Sequence, residues 1–88
     1  MKIKDSFVLR EVAGTWSVLP LAEETLNLNG MLVLNDAGAV LWKVLEQGCE
    51  LNDLAKALTD AYVVDYDQAL ADAKEFVEKL KSINCIID

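Results

Sequence analysis

An 88-residue chain with 53% hydrophobic and 26% charged residues is long enough for one globular domain and too short to enclose a deep active-site cleft. Its net charge of −7 repels a phosphate backbone, which disfavours bulk nucleic-acid binding, and no apolar run approaches the roughly 20 residues that a membrane-spanning helix needs. The start Met1-Lys2-Ile3-Lys4-Asp5 lacks the apolar core and cleavage site of a secretory signal, so a cytoplasmic location is expected.

The first elements in chain order are two strands. Phe7 to Val12 and Thr15 to Leu19 are rich in Val, Leu, Phe and Trp and are separated by Ala13-Gly14, the pattern of a β-hairpin. Ala13 would be strained at positive φ, so Gly14 is expected to take the left-handed position, in a type I turn followed by a bulge. On that reading Gly14→Val impairs folding. Pro20 has no ladder donor and marks the end of the second strand or an edge position, and Leu21 to Gly30, with Asn29-Gly30, reads as a longer connection.

Met31 to Leu34 returns as a third strand of four apolar residues, with no charge to guard it at a sheet edge. The period then switches from strand to helix at Asn35, a good N-cap, and Asp36 adds a charge that suits the positive helix end. A first helix runs from about Asp36 to Gln47 and stops at Gly48. A second, near Leu51 to Ala61, repeats Leu51, Leu54, Ala55, Leu58 and Tyr62 at helical spacing. A third, Tyr66 to Ile83, repeats Ala69, Leu70, Ala73, Phe76, Val77, Leu80 and Ile83. Asp65 with Gln68 three residues on has the polar pattern of a capping box, whereas Glu50 is a poorer cap for the second helix. Cys85-Ile86-Ile87 adds a short strand or packs against the core.

No linker, repeat or low-complexity tract divides the chain, so residues 1–88 read as a single domain. The expected architecture is α+β and winged helix-turn-helix-like, a small three-stranded antiparallel sheet followed by three α-helices. That outline does not make it a DNA reader. Three cations face four carboxylates in residues 1–30, but from Met31 onward five lysines face eleven carboxylates. The third helix mixes Asp67, Asp72, Glu75 and Glu78 with Lys74, Lys79 and Lys81, where a recognition helix offers bases.

Catalytic constellations are missing from the sequence. There is no His, no Cys-x-x-Cys, no Gly-rich phosphate loop and no nucleophile elbow, so no enzyme activity, cofactor or metal is expected. Cys49 and Cys85 read as reduced, packed thiols. Glu23-Glu24, Asp65 with Asp67, and Asp72 with Glu75 read as solvated or helix-start carboxylates. Trp42 suits a core or dimer-interface anchor, and Trp16 suits a cover for the sheet.

The span Phe7-Val-Leu-Arg-Glu-Val-Ala-Gly, then Met31-Leu-Val-Leu-Asn-Asp-Ala-Gly-Ala-Val-Leu-Trp, then Asp65 opening the helix that carries Phe76-Val-Glu-Lys-Leu, resembles the PqqD-like family across nearly the whole chain. The Leu34-Asn35 junction followed by Leu41-Trp42 is the most family-like piece, and Glu50 departs from the Ser or Thr common in relatives. The resemblance implies a recognition domain for ribosomally made, post-translationally modified peptides. Such a domain binds the leader segment of a precursor peptide and presents it to a modifying enzyme, often a radical S-adenosylmethionine enzyme that itself carries the iron–sulfur clusters. It also implies that the leader joins the sheet as an added strand, beside the third strand and against the third helix.

The residues themselves accommodate that role, because an extended peptide satisfies free N–H and C=O groups on a sheet edge while alternate side chains enter an adjoining groove. The edge would be Met31, Leu32, Val33 and Leu34, and the facing wall would draw on Ala69, Ala73, Phe76, Val77 and Leu80. Each of these also suits ordinary helix–sheet core packing. The alternative is a plain interaction or oligomerisation module, in which the third-strand edges of two copies pair into a homodimer.

Overall fold

A computed structural model describes residues 1–20 and 32–87; the expected connection Leu21–Gly30 and the edge residue Met31 lie outside them. Eight elements follow in chain order: β1 (Lys2–Ile3), β2 (Phe7–Val12), β3 (Thr15–Pro20), β4 (Leu32–Leu34), α1 (Asp36–Glu46), α2 (Leu51–Ala61), α3 (Tyr66–Ser82) and β5 (Ile86–Ile87). The main sheet is antiparallel in the order β2-β3-β4, and β1 pairs with β5 in a separate two-stranded ribbon.

The β2–β3 hairpin pairs Val12 with Thr15 across a two-residue turn. Both turn residues have positive φ, 52° at Ala13 and 79° at Gly14. This corrects the expected type I turn with a bulge: two successive left-handed residues are the signature of a type I′ turn, whose twist matches that of the flanking strands. Sheet twist thus overrides the local preference of Ala13, which carries the strain instead of avoiding it.

The helices begin where their caps place them. Asn35 is extended and its Oδ1 accepts the Gly38 N–H at 2.8 Å. Asp65 Oδ1 accepts the Gln68 N–H at 2.8 Å, while the Gln68 side chain donates not backwards but to Asp72 Oδ1 at 2.9 Å. At α2 the weak cap Glu50 is rescued by Asp53, whose Oδ2 accepts the Glu50 N–H at 2.9 Å. α1 ends at Gly48 with φ +83°, and α3 ends through Asn84 at φ 62°, after which the Cys85 N–H donates to the Leu80 carbonyl.

One core joins these elements. Trp42, Leu45, Leu54, Leu80, Val18 and Cys85 are fully buried, and the small residues Ala55, Ala69 and Ala73 bring helix backbones close within it. Trp42 is a core anchor; its Nε1 has no hydrogen-bond partner among the described residues. Trp16 covers the sheet from the inner face, with the Lys43 ammonium 4.5 Å from its ring centroid. The chain start is tied down by reciprocal bonds, Met1 N to the Cys49 carbonyl at 2.9 Å and Cys49 N to the Met1 carbonyl at 2.8 Å. No described helix is long and apolar enough to cross a membrane.

Candidate functional site

The sheet register fixes which backbone groups β4 presents. In a two-residue hairpin the closing pair, here Val12 and Thr15, exchanges hydrogen bonds, and along an antiparallel ladder bonded and non-bonded pairs alternate. The N–H and C=O of Thr15 and Ser17 therefore point to β2, and those of Trp16 and Val18 point to β4. Trp16 pairs with Leu34, Ser17 with Val33 and Val18 with Leu32. Leu32 and Leu34 thus bond to β3, and Val33 turns its N–H and C=O to the far edge of the sheet. Among the described residues no strand pairs with that edge.

Alternation also separates the two faces of the strand. Leu34 is buried and Val33, between the two leucines, is 55% exposed. Beside this edge lies an open groove of about 500 Å³. Val33 and Leu34 form one side. Asn35, Ala37, Gly38 and Leu41 contribute the start of α1, Leu58, Tyr62 and Val64 the end of α2 and the turn after it, and Asp72, Glu75, Phe76 and Lys79 one face of α3.

Gly38 is a close approach that shapes this groove. A Cβ there would lie 3.2 Å from Leu34 Cβ, 3.3 Å from Asn35 Oδ1 and 3.4 Å from Phe76 Cε1, so the bare backbone is what lets the Phe76 ring sit over the start of α1. Asn35 serves the same junction by holding the Gly38 N–H. The strand-to-helix switch thereby sets the angle between edge and groove.

Of the residues singled out in the sequence, Val33, Leu34 and Phe76 line the groove. Leu32 is half-buried in β4. Ala69, Ala73, Val77 and Leu80 are placed in the core and do not line the groove, because they form the stripe of α3 that packs inward. Met31 lies outside the described residues. The polar members Asp72, Glu75 and Lys79 carry no apolar periodicity, although Asp72 and Lys79 are each one helical turn from Phe76 and so share its face, with Glu75 next to it on the flank.

Chemically the groove offers apolar walls, one backbone donor and acceptor pair, two carboxylates and an ammonium. Among the described residues no group of three or more His, Cys, Asp or Glu is placed to hold a metal ion. No disulfide joins Cys49 and Cys85. Burial pushes the Cys49 thiol up, Asp53 and Glu50 push it the same way, and the N-terminal ammonium opposes them.

A three-stranded antiparallel sheet with an open third edge, backed by three helices and bordered by a groove, defines a small α+β domain whose site is a trough and not a closed pocket. The chain belongs to the PqqD family: the family described as coenzyme PQQ synthesis protein D (PqqD) matches residues 7–86. Among solved structures its fold is similar to that of TbiB1 in complex with the TbiA(beta) leader peptide, with 23% identity, 100% of both chains covered and a TM-score of 0.77. No curated protein matches the chain at a significant level.

Proposed function

We propose that this chain acts as a single, non-catalytic peptide-recognition domain. It binds the leader segment of a ribosomally made precursor peptide as an extra strand on β4 and presents the peptide to a modifying enzyme, which we infer to be a radical S-adenosylmethionine enzyme. The observation that carries this reading is the outward backbone of Val33 beside a groove walled by Leu34 and Phe76. Backbone bonds hold an added strand, and the groove takes its alternate side chains. Membership of the PqqD family and likeness to a fold solved with a leader peptide support it.

In this reading Val33, Leu34 and Phe76 touch the peptide. Ala69, Ala73, Val77 and Leu80 hold α3 against the rest of the core and support the wall from behind. Residues Leu32 and Met31 belong to the strand that the peptide extends. Any cluster chemistry belongs to the partner enzyme, and the chain works in the cytoplasm where precursor peptides are made. Edge-to-edge pairing of two copies brings together two chains of net charge −7, which favours a foreign peptide over a homodimer.

The test is a titration of ¹⁵N-labelled protein with the leader segment of the precursor encoded beside it. Strand addition shifts the Val33 and Gly38 amides and slows exchange at Val33. Saturable binding that leaves those amides unmoved refutes this groove, and self-association without peptide binding favours an oligomerisation module.

A further inference from the structure

The charged members of the groove distinguish among peptides that an apolar trough alone would accept. This inference rests on the strand-addition reading and specifies its substrate. In an antiparallel added strand the peptide residue beside Val33 bonds to its outward N–H and C=O, and in a parallel one the two residues flanking it do; in both cases those flanking residues turn their side chains to the Leu32 and Leu34 face. That is the inner face, where Leu34 is buried and the groove begins. Consecutive groove-facing peptide side chains are about 6.6–6.8 Å apart, two residues along a strand.

α3 runs along the groove from Asp72 to Lys79, and one helical turn advances about 5.4 Å. An extended peptide laid along α3 therefore sets successive groove-facing side chains against successive turns of the helix. One turn offers the Phe76 ring. Asp72 and Glu75 lie on the N-terminal side of that ring and Lys79 on the C-terminal side, so two carboxylates border it against one ammonium. Among the described residues that line the groove, Lys79 is the one cation, so the lining keeps a net negative charge on the side of Asp72 and Glu75.

We propose that the groove selects an extended peptide in which one groove-facing side chain is apolar, against Leu34 and Phe76, and the next, two residues along, is Lys or Arg, against Asp72 and Glu75. An acidic residue at that second position meets the like charge of two exposed carboxylates, a repulsion that acts at low salt and is screened at high salt. The long stem of Lys or Arg also covers apolar wall while its head reaches the carboxylates.

Synthetic fluorescein-labelled decapeptides on a Thr background test this with the full chain. Each carries Leu and, two residues before or after it, Lys, Glu or a second Leu. Affinity is read by fluorescence anisotropy and placement by the Val33 amide shift. In one of the two orders the Lys peptide binds about five- to tenfold tighter than its Glu counterpart at low salt, and that order reports the strand direction. The ratio falls towards one in 1 M NaCl, falls with Glu75→Gln, and inverts with Glu75→Lys; Glu75 is exposed, and circular dichroism checks that both variants fold. Equal affinities for Lys and Glu in both orders, or a preference indifferent to Glu75, overturn the charge selection. If the Leu-Leu peptide still shifts Val33 in that case, strand addition stands without it. If no peptide of the set shifts Val33, strand addition falls and the charge selection falls with it.

Discussion

Replacing Val33 by proline tests the register and the site together. The register turns the Val33 N–H away from β3, so proline removes no bond of the existing ladder, and the side chain it replaces is 55% exposed. Proline is tolerated at an edge position whose N–H faces outward, and its cost to folding is about 1 kcal/mol or less, from adjusted φ and lost β-branched packing. For a bound peptide the same change removes one backbone donor and puts ring methylenes where the incoming strand would lie. A net hydrogen bond contributes about 0.5–1.5 kcal/mol. With crowding added, the loss is about 1–2 kcal/mol, or roughly five- to thirtyfold in Kd. Urea denaturation followed by circular dichroism measures the first quantity and calorimetric titration with the leader the second. Hydrogen exchange adds a check, with Val33 exchanging faster than Leu32 and Leu34 in the free protein and slowing when peptide is present. If Val33→Pro unfolds the chain, the N–H belongs to the β3 ladder and the register argument is wrong. If the variant folds and binds with full affinity, the edge is not where the peptide lies.

Three further outcomes follow from local geometry. Ala13 sits at φ 52° in the hairpin turn, so Ala13→Gly should raise the urea midpoint, with relief of about 1–2 kcal/mol of left-handed strain partly offset by about 0.5–1 kcal/mol of glycine entropy. Gly38→Ala gains helix propensity of about 1 kcal/mol but crowds Leu34, Asn35 and Phe76; stability stays within about 1 kcal/mol while the Phe76 ring resonances move and leader affinity drops about threefold or more. The Cys49 thiol, raised above 9.0 chiefly by burial, should react with iodoacetamide more slowly at pH 8 than an open thiol. Because the folded state holds its proton where the unfolded state has lost it, the associated stability is present below the unfolded value and is lost as pH rises through the folded one, and Cys49→Ser removes that alkaline slope in urea midpoints.

The elements with strong periodicity were legible in the sequence, and the features set by tertiary context were not. The hairpin, the start of α1 at Asn35 and the bounds of α2 all carry local signals that the structure repeats. Lys2–Ile3 and Ile86–Ile87 are two-residue strands with no period to read; they exist because the chain start meets the segment after α3, through bonds such as Lys4 N to the Cys85 carbonyl at 2.9 Å. The turn type differs from the expected one because sheet twist outweighs the preference of one alanine. The groove wall shows a further limit. Ala69, Ala73, Val77 and Leu80 repeat strictly and are buried, so periodicity identified which face of α3 is core. It does not identify which residues border an opening, and those stand at the margin of the stripe, where Phe76 meets Asp72, Glu75 and Lys79.

A three-residue strand with one outward donor and acceptor pair is a weak template by itself, and this constrains where binding energy resides. Within the described edge, the backbone contributes about two bonds at about 1 kcal/mol each. An apolar side chain contributes about 1.5–3 kcal/mol when fully buried, so two that are half-covered in an open groove contribute a similar total. Phe76→Asp removes one apolar wall and sets a charge against the peptide's apolar side chain, so it should cost about 2–3 kcal/mol, or roughly 30- to 150-fold in Kd. That exceeds the effect of Val33→Pro. The ranking follows because Val33→Pro leaves one of the two edge bonds in place, whereas Phe76→Asp removes an apolar contact and adds an unpaired charge beside it. Calorimetric titration of both folded variants with the same leader measures it. If Val33→Pro abolished binding and Phe76→Asp were mild, the peptide would lie on the edge and outside the groove, and selection would have to come from residues other than those of α3.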